Sequence, residues 1–275
     1  MTLCIAWRDS ENLHLASDSR ITFQKELFID VGIKTFEIPL KIFAPFNNEK
    51  ETNPPILDTN IGICFAGSLS GTFIIKDTLI EFLKHLQYIP GITEVSLENI
   101  CEIVRKLHEN IIHSIRGVLD KKSNTHFFLT GYCPNKKRIE CYKFTGDIST
   151  TTTKSTYIKI LEKPGFELLG TGESKARELI DNGETNMLKV LQKVINDPYF
   201  DTVGGSLQYG FISLNEINFE IFGVQYTTKD QYGALDPKFI VRGTDYFSNI
   251  DEDSLGFHIG YKFIIPFDET PFDEI

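Results

Sequence analysis

The stretch MTLCIAWRDSENLHLASDSR, residues 1–20, decides how the rest of the chain is read. Residues 3–7 and 13–17 are short strand-like runs, and the polar Arg8-Asp9-Ser10-Glu11-Asn12 between them suits a hairpin that begins at the first residues. The start of the chain is therefore expected inside a sheet. The same stretch carries chemistry, because Thr2 is small enough for Met1 to be removed, which puts a hydroxyl and a free α-amine on one residue. An α-amine with an ordinary pKa of about 7.7 to 8.0 can accept the hydroxyl proton near neutrality, so nucleophile and base coincide. Ala16-Ser17-Asp18-Ser19-Arg20 ends the second run and brings a carboxylate and a guanidinium close to the chain's beginning. Taken alone, Thr2 is a common second residue and Asp-Ser-Arg a solvated turn.

Outward from this hairpin, further strand-like runs fall at Lys41 to Pro45 and Ile61 to Ala66, with the polar stretch 46–60 as a surface loop. After Gly67-Ser68 the period changes. Ile75, Leu79, Phe82, Leu83 and Leu86 recur at helical spacing through Gln87, Pro90-Gly91 marks a turn, and Ile100, Val104, Leu107, Ile111 and Ile115 define a second amphipathic helix from Ser96 to about Leu119. Strands are expected again at His126 to Tyr132, Arg138 to Phe144 and Gly165 to Leu169, with Asn135 and Lys136 in the first turn. Two helices fit Ser174 to Ile180 and Thr185 to Ile195, then strands fit Leu207 to Leu214 and Phe219 to Tyr226. From Thr227 onward no pattern is legible. Strands segregated from paired helices imply an α+β fold, a four-layer αββα sandwich of two antiparallel sheets flanked by helices.

At 275 residues and 41% apolar content the chain reads as one domain, 1–275, with a mobile acidic tail at 267–275. The formal net charge of -10 argues against nucleic acid or an anionic membrane as partner, since either is first attracted by clustered Lys and Arg. Five scattered cysteines without CxxC spacing read as reduced thiols in a cytoplasmic protein. Arg8 and Asp9 interrupt the start before a signal-peptide core can develop, and no run of 18 apolar residues exists. The six histidines form no HExxH pattern, and neither a metal nor a cofactor is expected.

Thr2, Asp18 and Arg20 stand in the order and separation found in active proteasome β subunits and their bacterial relatives, the heat-shock-locus and ancestral β-subunit proteases. The chain resembles this family of N-terminal nucleophile (Ntn) hydrolases. Lys41-Ile42-Phe43 is similar to the family's lysine at the start of its next strand, and Ala66-Gly67-Ser68 to its alanine-glycine pair before the first helix. Gly170-Thr171-Gly172, followed by Ala176 and Leu179, resembles the element before the third helix. Asp201-Thr202-Val203-Gly204-Gly205 is similar to an aspartate before serine-glycine-glycine, with Gly204 where the family usually has serine, or Val203 there if the glycine pair is aligned instead. Two lysines compete for one role. Lys34 lies at the family's uninterrupted spacing, just after Gly32, while Lys41 requires an insertion between Phe23 and Pro39; Lys41 is preferred because Ile42-Phe43 continues it as a strand.

The resemblance implies a threonine peptidase in which Thr2 forms an acyl-enzyme after Met1 is removed. Lys41 favours the alkoxide, Asp18 holds that lysine, and Gly67 offers its N–H to the oxyanion. Thr171, Asp201 and Gly204 orient the amine, Arg20 supports the site, Thr22 lies on the substrate strand and Ser68 beside the oxyanion hole. The implied partners are a peptide or unfolded-protein substrate, further copies of the chain in a ring or stack, and an ATP-dependent unfoldase. An inactive structural subunit and an amidase acting on a small molecule are the alternatives.

Overall fold

Asp9 starts the fold by closing the first turn: its Oδ1 accepts the backbone N–H groups of Glu11 and Asn12 at 2.9 and 2.8 Å. That turn joins β1 (Leu3–Arg8) to β2 (Asn12–Ser17) in antiparallel register, Cys4 opposite Ser17 and Arg8 opposite Leu13. The computed structural model describes residues 2–24, 27–45, 54–89, 95–119, 124–148, 153–229, 234–245 and 260–266. The acidic ending at 267–275 and the Pro90-Gly91 turn lie outside them.

β1 and β2 are interior strands. The first sheet runs β11 (Gly165–Gly170), β1, β2, β12 (Gln208–Ser213), β13 (Glu220–Lys229), β14 (Leu235–Val241) and β15 (Thr244–Asp245), and β16 (Phe263–Ile264) pairs with β13. The second sheet runs β10 (Thr153–Ile160), β9 (Arg138–Ile148), β8 (Thr125–Cys133), β6 (Leu57–Gly67), β5 (Thr35–Phe43) and β7 (Leu86–Gln87). A separate pair joins β3 (Ile21–Gln24) to β4 (Leu27–Ile29).

Helices α1 (Leu69–Leu83) and α2 (Leu97–Leu119) bring Ile75, Leu79, Ile100 and Val104 against Ile38, Ile63 and Phe127 of the second sheet. Helices α3 (Glu173–Asp181) and α4 (Met187–Ile195) bring Ala176, Leu188, Leu191 and Val194 against Leu3, Ile5 and Leu168 of the first. Between the sheets Cys4, Ala6, Leu13 and Leu15 meet Cys64, Ala66 and Phe128. Burying each such Leu, Ile or Phe stabilises by about 1.5–3 kcal/mol. All five cysteines are buried and free. Among the described residues no helix is long and apolar enough to cross a membrane.

The expected four-layer αββα sandwich of two antiparallel sheets is corrected by this architecture. Strand accounts for 45% of the chain and helix for 24%, over several sheets that include a curled half-barrel. Two pairings, β5 with β7 and β13 with β16, are parallel. The extra strand content lies in β10, in β3–β4, in β14–β16 beyond Thr227, in the first parts of β5 and β6, and in β7, where the helix expected through Gln87 ends at Leu83. β10 alternates polar and apolar residues at a sheet edge, and Pro237 interrupts the strand signal of β14.

Candidate active site

Thr2 precedes β1 and is held from two sides. Gly170, at the end of β11, has φ 107° and its backbone lies so close to the Thr2 carbonyl that a Cβ there would overlap it; Gly172 donates its N–H to the same carbonyl at 3.5 Å. Opposite, Asp18 follows β2 and is fully buried. Its Oδ1 accepts from Thr2 Oγ1 at 2.5 Å, Leu3 N at 3.0 Å and Lys34 Nζ at 2.8 Å. Its Oδ2 accepts from Arg20 N at 3.1 Å and Gly204 N at 3.2 Å. These donors offset the cost of burying the carboxylate.

Lys34 also donates from Nζ to Thr2 Oγ1. Hydroxyl, ammonium and carboxylate therefore form one contiguous buried group, with Thr2 2% and Lys34 7% exposed. An unscreened cation against the hydroxyl oxygen favours negative charge developing there. Beside Thr2 and Lys34 opens a cavity of about 60 Å³ lined by Ile21, Thr22, Ile33, Phe65 and Gly67 among others. Gly67 has φ 115°, and a Cβ there would lie 2.5 Å from Asn124 O, so the sharp exit of β6 toward the cavity requires glycine. Ser68 then caps α1, accepting the Gly71 N–H at 3.2 Å.

The preference for Lys41 is corrected. Lys41 lies on β5, its ammonium paired with Asp58 at 3.0 Å and 38% of its side chain exposed. Ile38, Leu40 and Ile42 of that strand face the core, so strand alternation turns Lys41 away from it. It also stands six residues beyond Thr35, about 20 Å along the strand at the usual rise per residue. Lys34 lies just before β5, in the irregular segment that follows Gly32, whose N–H donates to Ser19 O at 2.8 Å.

Arg20 grips Asp30 with Nε and Nη2 at 2.7 and 2.9 Å, lies over the Phe28 ring at 3.8 Å and donates to the Asp201 carbonyl at 3.1 Å. A Cβ on Gly204 would overlap this guanidinium, which explains glycine in place of serine. Asp201 itself is exposed, and Thr171 Oγ1 is hydrogen-bonded to Thr202 Oγ1 at 3.0 Å. Cys4 is a buried thiol donating to Phe65 O at 2.9 Å, its pKa pushed up by burial and by the neighbouring Cys64.

The motifs did not point to Gln208 or Asp30. Gln208 opens β12 and bonds the backbone around Lys34, and no short motif marks it.

No family model matches the chain, and no curated protein matches it. Solved structures do. The helical assembly of the Anbu complex from Pseudomonas aeruginosa is similar at TM-score 0.55 and 16% identity, over 80% of this chain and 85% of that one. Anbu, the ancestral β-subunit, from Yersinia bercovieri is similar at TM-score 0.54 and 14% identity, over 80% and 86%. A mutant Anbu from Hyphomicrobium sp. strain MC1 gives TM-score 0.57 and 13% identity, over 93% and 94%. The chain thus has a proteasome-like, ancestral β-subunit fold. The family reading implied by the motifs, proteasome β-subunit-like Ntn hydrolases of the heat-shock-locus and ancestral β-subunit types, is corrected: at these identities the likeness is one of fold, and no match in sequence accompanies it.

Proposed function

We propose that the chain is a threonine-type hydrolase of peptide bonds, with Thr2 as nucleophile once Met1 is removed. The observation that carries this reading is the buried contact of Thr2 Oγ1 with both Lys34 Nζ and Asp18 Oδ1 at the mouth of a cavity. Oγ1 attacks the substrate carbonyl while its proton passes to the α-amine of Thr2. Lys34 stabilises the oxygen as charge develops, and Asp18 fixes Lys34 in place. The Gly67 N–H serves the oxyanion. The leaving amine takes the proton, an ester on Thr2 remains, and a water deprotonated by the α-amine releases the acid.

Thr171, beside the glycine that abuts the Thr2 carbonyl, helps to orient the α-amine, while Asp201 acts through its carbonyl on Arg20. Copies of the chain assemble into a homo-oligomer, a reading supported by the helical assembly of the Pseudomonas aeruginosa neighbour.

Intact mass spectrometry joined to peptide turnover tests the reading. The expected species lacks Met1, cleaves fluorogenic peptides, and loses all turnover in Thr2→Ala while keeping its assembly size by light scattering. Retained Met1 would lock the Thr2 nitrogen in an amide and leave only an assembling subunit.

A further inference from the structure

We infer that Gln208 is a positioning residue of this site, acting through Lys34; the inference rests on the hydrolase reading. Lys34 is supplied by backbone that belongs to no helix or strand, since β5 begins at Thr35. Something must hold that backbone if the ammonium is to stay on Thr2 Oγ1. One side-chain amide does most of it. Gln208 Oε1 accepts the N–H groups of both Lys34 and Thr35, at 2.9 and 3.1 Å, and its Nε2 donates to Gly32 O at 2.6 Å.

The amide is suited to this task by its chemistry. It needs two acceptor lone pairs on one side and a donor on the other, and it must be uncharged beside the Lys34–Asp18 pair. Glutamate in its place presents an oxygen to the Gly32 carbonyl and adds a second buried anion. Methionine fills the space and makes none of the bonds. Gln208 is 1% exposed, so water cannot replace it.

The clamp also ties the two sheets together. Gln208 lies opposite Ser17 in the β12–β2 register, and Ser17 Oγ is hydrogen-bonded to Thr35 Oγ1 at 2.9 Å. From the second sheet, Phe65 N donates to Lys34 O at 3.0 Å. Lys34 thus sits where β12, β2 and β6 converge, and Gln208 bonds its backbone path at three residues, Gly32, Lys34 and Thr35. A misplacement of about 1 Å at a reacting group costs on the order of 100-fold in rate.

The test uses the full chain with Met1 removed and a peptide vinyl sulfone as probe, followed by the mass of the Thr2 adduct. Gln208→Met and Gln208→Glu are expected to slow labelling about 10- to 100-fold and to speed hydrogen exchange at the Lys34 and Thr35 amides. In a Lys34→Ala background, Gln208→Met should slow labelling by no more than about twofold further, because the group it positions is gone. Full multiplicative losses in the double variant, or wild-type labelling rates in Gln208→Met, would overturn the inference. If the wild type takes no label at all while exchange still rises in Gln208→Met, the hydrolase reading itself fails and takes this one with it. Unchanged exchange with an active wild type rejects the clamp alone.

Discussion

Among the described residues two carboxylates are buried, and only one of them sits beside a hydroxyl that borders a cavity. Asp18 and Glu140 are 0% and 1% exposed. Each accepts from a hydroxyl and from cations: Asp18 from Thr2 and one cation, Lys34; Glu140 from Tyr142 at 2.8 Å and two cations, Lys159 at 2.6 Å and Arg138 at 2.8 Å. The difference lies in what surrounds them. Arg138 is 51% exposed and reaches Glu140 from solvent, and its hydroxyl partner is a phenol whose pKa is pushed up by burial and by Glu140 itself. Lys34 is buried, and the hydroxyl it contacts borders a cavity. Burial of charge alone therefore does not single out a candidate site; burial of charge against an approachable hydroxyl does.

The largest expected effect separating the two is on turnover. Lys34→Ala should lower single-turnover acylation of a peptide substrate by about 100- to 1000-fold, whereas Glu140→Gln should leave it within about twofold. Equal losses in both variants would erase the distinction.

Stability comes next. Asp18→Ala strands a buried ammonium and should cost about 3–5 kcal/mol in urea unfolding. Glu140→Ala leaves cations that can turn to water, and about 1–3 kcal/mol is expected from its unpaired phenol and lost bonds. The reverse order would place the more demanding charge at Glu140.

Acid titration distinguishes them further. Burial raises the Glu140 pKa, but hydrogen bonds from Lys159, Tyr142 and Arg138 outweigh it and hold the group at about 2. Its folded pKa is depressed, so the unfolded chain binds the extra proton; the stabilisation is full above the ordinary glutamate value and is lost as pH falls through about 2. Glu140→Gln should flatten the decline in unfolding free energy across that window. An unaltered slope would show that Glu140 does not drive it.

The smallest effect belongs to Lys41. Its exposed pairing with Asp58 predicts that Lys41→Ala changes stability by less than about 0.5 kcal/mol and leaves turnover within about twofold.

α2 was legible because one helical period runs over its whole length, and the first hairpin because two short apolar runs, buried on both faces, flank a polar turn. Gly67 and Gly170 entered through the resemblance, and both occupy left-handed backbone. Lys41 was preferred because Ile42-Phe43 continues it as a strand; β5 begins at Thr35, directly after Lys34, and runs through Pro39. In the fold Pro39 lies in β5 opposite Asn60, at a place where β7, paired only at Ile42 and Phe43, does not reach. A missing N–H costs little on such an edge. Gln208 was invisible for another reason: its partners are backbone groups about 175 positions away in sequence, and hydrogen bonds to backbone leave no residue pattern.

The pairing of β16 with β13 bears on when the molecule can finish folding. Gly223 donates to the Lys262 carbonyl at 2.8 Å, and Phe263 and Ile264 run parallel to Gly223 and Val224. During synthesis the ribosome completes Thr2, Asp18, Lys34, Gly67 and Gln208 well before it delivers Phe263. The Thr2–Asp18–Lys34 cluster can therefore assemble on a nascent chain whose sheet still waits for β16, and that interval is when the β13 edge is open to a wrong partner.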